Sequence, residues 1–229
     1  MKAVADKQAE EAEISPKIGK KKNAKVRLIL QAARSSFLDQ GYDLTSMDMI
    51  AQTAGVSKAT VYAHFESKEV LLYGLMAEEF ETHRPPPLWD RDQPVTDIEA
   101  ALRAIARRFT AIFLSDKKLA FHRLIMTNAS RFPAITEIFM NGGPRREQAE
   151  LRAFFEKAIS DGYFRIDNID LAVKQFSSLV KADLPLNWAL SIKPPSQAEY
   201  DALIEAGVAV FLAAYGTGLR HHKEEPARL

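Results

Sequence analysis

From residue 25 onward, apolar residues return every three to four positions. Val26, Ile29, Leu30, Ala33 and Phe37 stand at offsets 0, 3, 4, 7 and 11, one face of a helix. Gly41 follows Gln40 and suits a left-handed helix stop. Thr45 or Ser46 is a start signal for a second, short helix, with Asp48 in its first turn and Met49, Ile50 and Ala54 on its inner face. Gly55 breaks that run. Ser57 can cap a third helix carrying Ala59, Val61, Tyr62 and Phe65, and Ser67 opens a fourth with Val70, Leu71, Leu75, Met76 and Phe80. Pro85-Pro86-Pro87 cannot continue a helix, so residues 84–95 mark a boundary between two regions.

Beyond it the helical spacing resumes. Ile98, Leu102, Ile105, Phe109 and Ile112 form one stripe, and Leu119, His122, Leu124, Ile125 and Ala129 the next. A short stretch with Ile135, Ile138 and Phe139 stops at Asn141-Gly142-Gly143-Pro144. A longer one with Leu151, Phe154, Phe155, Ala158 and Ile159 stops at Asp161-Gly162. The penultimate helix is expected to run through Leu171, Val173, Phe176, Leu179, Val180 and Leu184, and the last from about Gln197 to Tyr215. No alternating strand pattern is sustained. The expectation is an all-α chain of roughly nine helices.

Composition narrows the class. The chain has 229 residues, 47% hydrophobic and 27% charged, enough for a buried core in one or two domains. Thirty-one basic residues face 30 acidic ones, which excludes a uniformly basic coat for nucleic acid. The absence of cysteine removes disulfide frameworks, zinc fingers and thiol catalysis. No apolar run approaches ~18 residues and the N-terminus has no apolar signal segment, so the expectation is a cytoplasmic protein without membrane contact. Charge is unevenly placed: residues 17–27 hold six basic side chains, Lys25 among them, and no acid. Residues 1–22 read as a disordered basic arm, able to follow a polyanion or merely solvated.

Residues 45–65 read Thr-Ser-Met-Asp-Met-Ile-Ala-Gln-Thr-Ala-Gly-Val-Ser-Lys-Ala-Thr-Val-Tyr-Ala-His-Phe. A short helix, a glycine turn and a second short helix make a helix-turn-helix, whose second helix enters the DNA major groove. Ser57, Lys58, Ala59 and Thr60 lie at its N-terminal end, short enough to let the backbone sit deep and varied enough to meet base edges. Two packed helices with solvated polar ends would use the same pattern.

The match at Gly41-Tyr42, Thr45, Ile50-Ala51, Ala54-Gly55-Val56-Ser57-Lys58, Thr60-Val61-Tyr62, His64-Phe65 and Ser67-Lys68-Glu69 resembles the DNA-binding domain of the tetracycline-repressor (TetR) family. The resemblance implies a helix-turn-helix domain over residues 23–83 and a helical ligand-binding and dimerisation domain over 95–220. It further implies that Thr45 caps the second helix and touches a phosphate with its backbone amide or hydroxyl. Ser57, Lys58, Ala59 and Thr60 would face bases. Tyr62, His64 and Lys68 would contact phosphates, with a half-buried core ring and a packing histidine as the alternatives for Tyr62 and His64. Phe65 is assigned to core. The partners implied are double-stranded DNA with a palindromic operator, a small-molecule effector and a second copy of the chain. Repressor or activator stays open, with repressor the family's usual role.

Arg131-Phe132-Pro133, Gly143-Pro144, Gly162-Tyr163-Phe164 and Asp170 are similar to the AefR-type C-terminal domain. The stretch Ala206–Ala214 is apolar nearly all round and rich in small residues, so the last two helices are expected to pair with their two-fold mates. Phe109, Phe113, Phe121, His122, Met126, Phe155, Phe176 and Trp188 are candidates to line an apolar effector pocket, although each alone is as well read as core. Glu79 and His83 share a helix face, but no second Glu-x-x-His completes a di-metal site. Neither a nucleophile elbow nor a phosphate loop occurs. No catalytic residue, metal or cofactor is expected.

Overall fold

The computed structural model describes residues 24–111, 115–190 and 195–218. The expected basic arm, Phe113 and the side chain of Trp188 lie outside the described residues. Among the described residues there are eleven helices and no strand. They are α1 (Ala24–Gln40), α2 (Met47–Thr53), α3 (Lys58–His64), α4 (Lys68–Thr82), α5 (Ile98–Thr110), α6 (Asp116–Asn128), α7 (Pro133–Gly142), α8 (Pro144–Ser160), α9 (Ile169–Lys181), α10 (Leu184–Ala189) and α11 (Gln197–Tyr215). They divide into two compact units, Met1–Thr82 and His83–Leu229.

In the first unit α1 packs on α2 and α4, and α2 on α3. Ile29, Leu30, Phe37, Ile50, Val61, Leu71 and Met76 close its core. Gly41 and Gly55 both have positive φ, 84° and 65°, a conformation that costs an L-side chain ~1 kcal/mol or more. A Cβ at Gly74 would come within 2.9 Å of the Phe65 ring, so α4 can approach the end of α3 only because that position is bare. Arg34 on α1 reaches Glu79 on α4 at 3.0 Å; Glu79 on the expected carboxylate–histidine face is thus an ion-pair partner.

In the second unit the core is aromatic. Phe155 stacks on Phe211 at 5.0 Å and meets Phe176 and Phe164 edge-on, both at 5.8 Å. Gly207 on α11 faces the Leu179 backbone, where a Cβ would come within 3.0 Å, so α9 and α11 cross closely there. Ser196 and Glu199 form a capping box at the start of α11.

Two expectations are revised. The penultimate helix does not continue to Leu184: it stops at Lys181, because Ala182 takes φ 41° and turns the chain into the short α10. The proline segment is also docked within its unit. Arg108 donates to the Pro87 and Leu88 carbonyls at 3.1 Å, Glu150 accepts from the Leu88 amide at 2.7 Å, and Leu88 is buried. The helix-breaking residues that sequence reads as a boundary thus find hydrogen-bond partners for carbonyls that no helix uses.

Candidate nucleic-acid interface

The short α3 is held from one side and open on the other. Val61 and Phe65 point into the core, while Ala59, Tyr62, Ala63 and His64 face solvent. Tyr62 is 44% exposed and His64 is exposed, so neither ring is sealed in the core. The N-terminus of α3 is ordered by Ser57, whose hydroxyl accepts from the Thr60 amide at 3.2 Å and lies 2.8 Å from the Thr60 hydroxyl. Ser57 therefore serves as cap, presenting Lys58, Ala59 and Thr60 at the end of the helix.

Lys58 has a partner that sequence reading passed over. Its ammonium lies 2.8 Å from one carboxylate oxygen of Asp48 and 2.9 Å from the other. Both side chains are about three-fifths exposed, 60% and 61%. The carboxylate beside it holds the Lys58 ammonium above the usual lysine range, first through the hydrogen bond and then through charge. Asp48 owes its place to the first turn of α2 and Lys58 to the first turn of α3, so the glycine turn at residue 55 brings them together.

Two assigned roles are corrected. Thr45 is not the cap of α2; Ser46 is, accepting from the Met49 amide at 3.1 Å. The Thr45 side chain is buried, 1% exposed, and its hydroxyl donates toward the Gly41 carbonyl at 2.8 Å and lies 3.1 Å from that of Ser36. That hydroxyl stitches the end of α1 to the start of α2 and does not face outward to a phosphate. Sequence allowed either Thr45 or Ser46 as the cap, and the resemblance selected the wrong one. Lys68, assigned to phosphate, is likewise engaged. Its ammonium donates to the Tyr42 and Thr45 carbonyls at 2.8 Å each and reaches that of Asp43 at 3.4 Å, while lying 4.3 Å above the Tyr42 ring. An ammonium has only three N–H donors, and the loop carbonyls take them. Lys25 stands exposed at the start of α1.

Residues 29–73 match the bacterial regulatory proteins of the tetR family, and residues 100–217 match the C-terminal domain of AefR-like transcriptional repressors. The chain belongs to the TetR family. This TetR-family regulator resembles a transcriptional regulator from Mesorhizobium loti MAFF303099 at 30% identity and a TM-score of 0.71, covering 84% of this chain and 96% of that one. It resembles the flavonoid-responsive regulator FrrA at 37% identity and a TM-score of 0.68, covering 85% and 98%. It shares 49% identity with the HTH-type regulator YhgD of Bacillus subtilis (strain 168), but over 45 residues, 20% of this chain and 24% of that protein. It is a DNA-binding transcriptional regulator, not an enzyme. No helix among the described residues is long and apolar enough to cross a membrane.

The regulator's second unit scatters the residues nominated for an effector pocket. Phe109, Phe155 and Phe176 are no more than 2% exposed and belong to the aromatic core. Lys181 covers the Phe109 ring, 4.1 Å from its centre. Met126 faces outward, 56% exposed, because α6 turns that side to solvent. Phe121 is buried on α6. His122 is half-buried, edge-on to Phe139 at 5.5 Å, and burial pulls its pKa below the ordinary histidine value. On the outer side of α11, Ala206, Ala209, Val210, Ala213 and Ala214 are exposed, and Val210 and Ala214 border a groove of about 420 Å³ against Lys174, Gln175 and Ser178 of α9.

Proposed function

We propose that this regulator is a homodimeric repressor that binds a palindromic operator in the cytoplasm and is released by a small apolar effector. The observation that carries the reading is α3. Its base-facing end is capped from within by Ser57, its inner face is anchored by Val61 and Phe65, and its outer face is exposed. That is what a helix entering the major groove requires. Ser57, Lys58, Ala59 and Thr60 would face bases, and Tyr62, His64 and Lys25 would approach phosphates. Ser46 takes over the helix-start position that Thr45 was expected to fill.

The exposed apolar side of α11, continuous with α9, supports the dimer: a row of alanines and Val210 open to solvent is the kind of apolar patch that an interface covers. A two-fold pair would set the recognition helices ~34–36 Å apart, one turn of DNA, and so call for an inverted repeat. The effector reading rests on FrrA, described as flavonoid-responsive, and on α6. Phe121, Leu124 and Ile125 of α6 are buried yet stand outside the main core cluster, and α6 packs chiefly on α7 and α10. An effector of planar apolar character would insert between α6 and that core. It would loosen the operator complex only by preferring a different arrangement of the dimer.

The test is capture of bound fragments from genomic DNA, followed by titration of a captured site with and without flavonoid-type compounds. Enrichment of an inverted repeat, with transcription rising when the gene is deleted, is the expected result. Binding that shows no sequence preference at physiological salt overturns it, and transcription falling on deletion would make the protein an activator.

A further inference from the structure

The Asp48–Lys58 pair sits at the leading end of the proposed recognition surface, with both side chains exposed, 61% and 60%. Neither is needed to hold the fold: an exposed ion pair contributes little to stability. On DNA the two would act in opposite senses if separate. A lone lysine is drawn to any phosphate, and a lone carboxylate is repelled by the backbone. Joined, they are formally neutral and gain little from phosphates. What remains is a donor and an acceptor side by side, 2.8 Å apart, fixed by two different helices.

The major-groove edge of a base pair presents the complement. In a G·C pair, guanine O6 accepts and cytosine N4 donates, and the two atoms are themselves joined by a Watson–Crick hydrogen bond of about 2.9 Å. The ammonium can give one N–H to Asp48, a second to guanine O6 and the third to guanine N7, while the free lone pairs of the carboxylate take the remaining N–H of cytosine N4. An A·T pair also sets a donor beside an acceptor, but thymine carries its methyl group beside O4 where guanine carries N7. The third N–H would then meet carbon.

Resting on the reading of α3 as the recognition helix, we infer that Asp48 and Lys58 together read one G·C base pair in each half-site, Lys58 the guanine and Asp48 the cytosine. Asp48 is thus a specificity-determining residue although it lies on the supporting helix α2. The pair is a single reading unit, so either residue alone loses the selection of both.

The experiment selects bound duplexes from a randomised library with the wild-type protein, Asp48→Ala, Lys58→Ala and the double variant, then measures affinities on duplexes differing at one base pair. The expected result is that both single variants relax the same base pair by about fivefold or more, the double variant relaxes it no further, and other positions keep their preferences. Asp48→Ser serves where Asp48→Ala does not fold. Asp48→Ala leaving every base preference intact, or relaxing a different pair from Lys58→Ala, overturns the inference while the recognition-helix reading stands. A wild-type protein that selects no sequence at all overturns both.

Discussion

At Lys68, a residue's type and position suggest one role and its surroundings another. A lysine just after the helix-turn-helix reads as a phosphate contact, yet its ammonium closes the loop between α1 and α2 through the Tyr42 and Thr45 carbonyls. Lys68→Ala should therefore lower the unfolding free energy by ~1–2 kcal/mol, a discounted share of three charge-assisted bonds at a part-exposed site. The salt dependence of DNA binding should not change. Chemical denaturation and a salt titration check the two halves separately; a salt slope smaller by one charge, with stability intact, would restore the phosphate role. His122 gives a pH signature. Burial depresses its folded pKa, so the unfolded state binds the proton first. Stability should be unaffected above the unfolded histidine value near ~6.5 and fall as pH drops below it. His122→Gln should lessen that fall in thermal melts between about pH 7 and 5; identical profiles would contradict it. The types of these residues were legible in the sequence, but their partners were not, since Lys68 and Tyr42 are 26 positions apart and no local periodicity links them.

Among the elements, the short helices carry the proposed DNA-facing surface and the turns position them. The glycine stops at residues 41 and 55 were readable because positive φ leaves few other residues. The stop at Ala182 was not, because alanine normally continues a helix and only the chain's change of direction into α10 forces its φ of 41°. The stretch of α9 up to Lys181 was visible as an apolar stripe; its end was set by packing. Ala182→Gly should relieve that strain and raise stability by ~1 kcal/mol, read as a higher melting temperature. A decrease would show that the alanine methyl contributes more than the backbone conformation costs. The proline segment had its breaks read correctly, but its docking to Arg108 and Glu150 depended on side chains at least 20 positions away.

In the whole molecule, the second unit combines a sealed aromatic core with an apolar outer face on α11. Val210 lies on that face and is 53% exposed, so Val210→Glu should leave the protomer folded. In a two-fold dimer the same change buries like charges near each other, and dimer affinity should fall by ~2 kcal/mol or more, with operator binding lost in parallel. Sedimentation and helical content measured together decide it; an unchanged dimer would place the interface elsewhere. Which side of a short helix faces out was easier to read from sequence than which aromatics border a space, for a physical reason. A recognition helix is local, seven residues whose order dictates which side faces out, as with Tyr62 and Val61. An effector site is assembled from helices distant in the chain, and an aromatic residue such as Phe155 satisfies the same hydrophobic pattern whether it lines a space or fills it.

Helical periodicity, the glycine and serine punctuation around residues 41–57 and the motif through Phe65 were enough to define an all-α chain, its helix-turn-helix and its family, because each depends on neighbours within a turn or two. Tertiary structure decided which hydroxyl caps α2, that Lys68 binds the loop, that Asp48 faces Lys58, and which aromatics are sealed in the core. Those outcomes depend on groups brought together across the chain, where burial and the need to occupy every donor and acceptor choose among partners that spacing leaves equivalent.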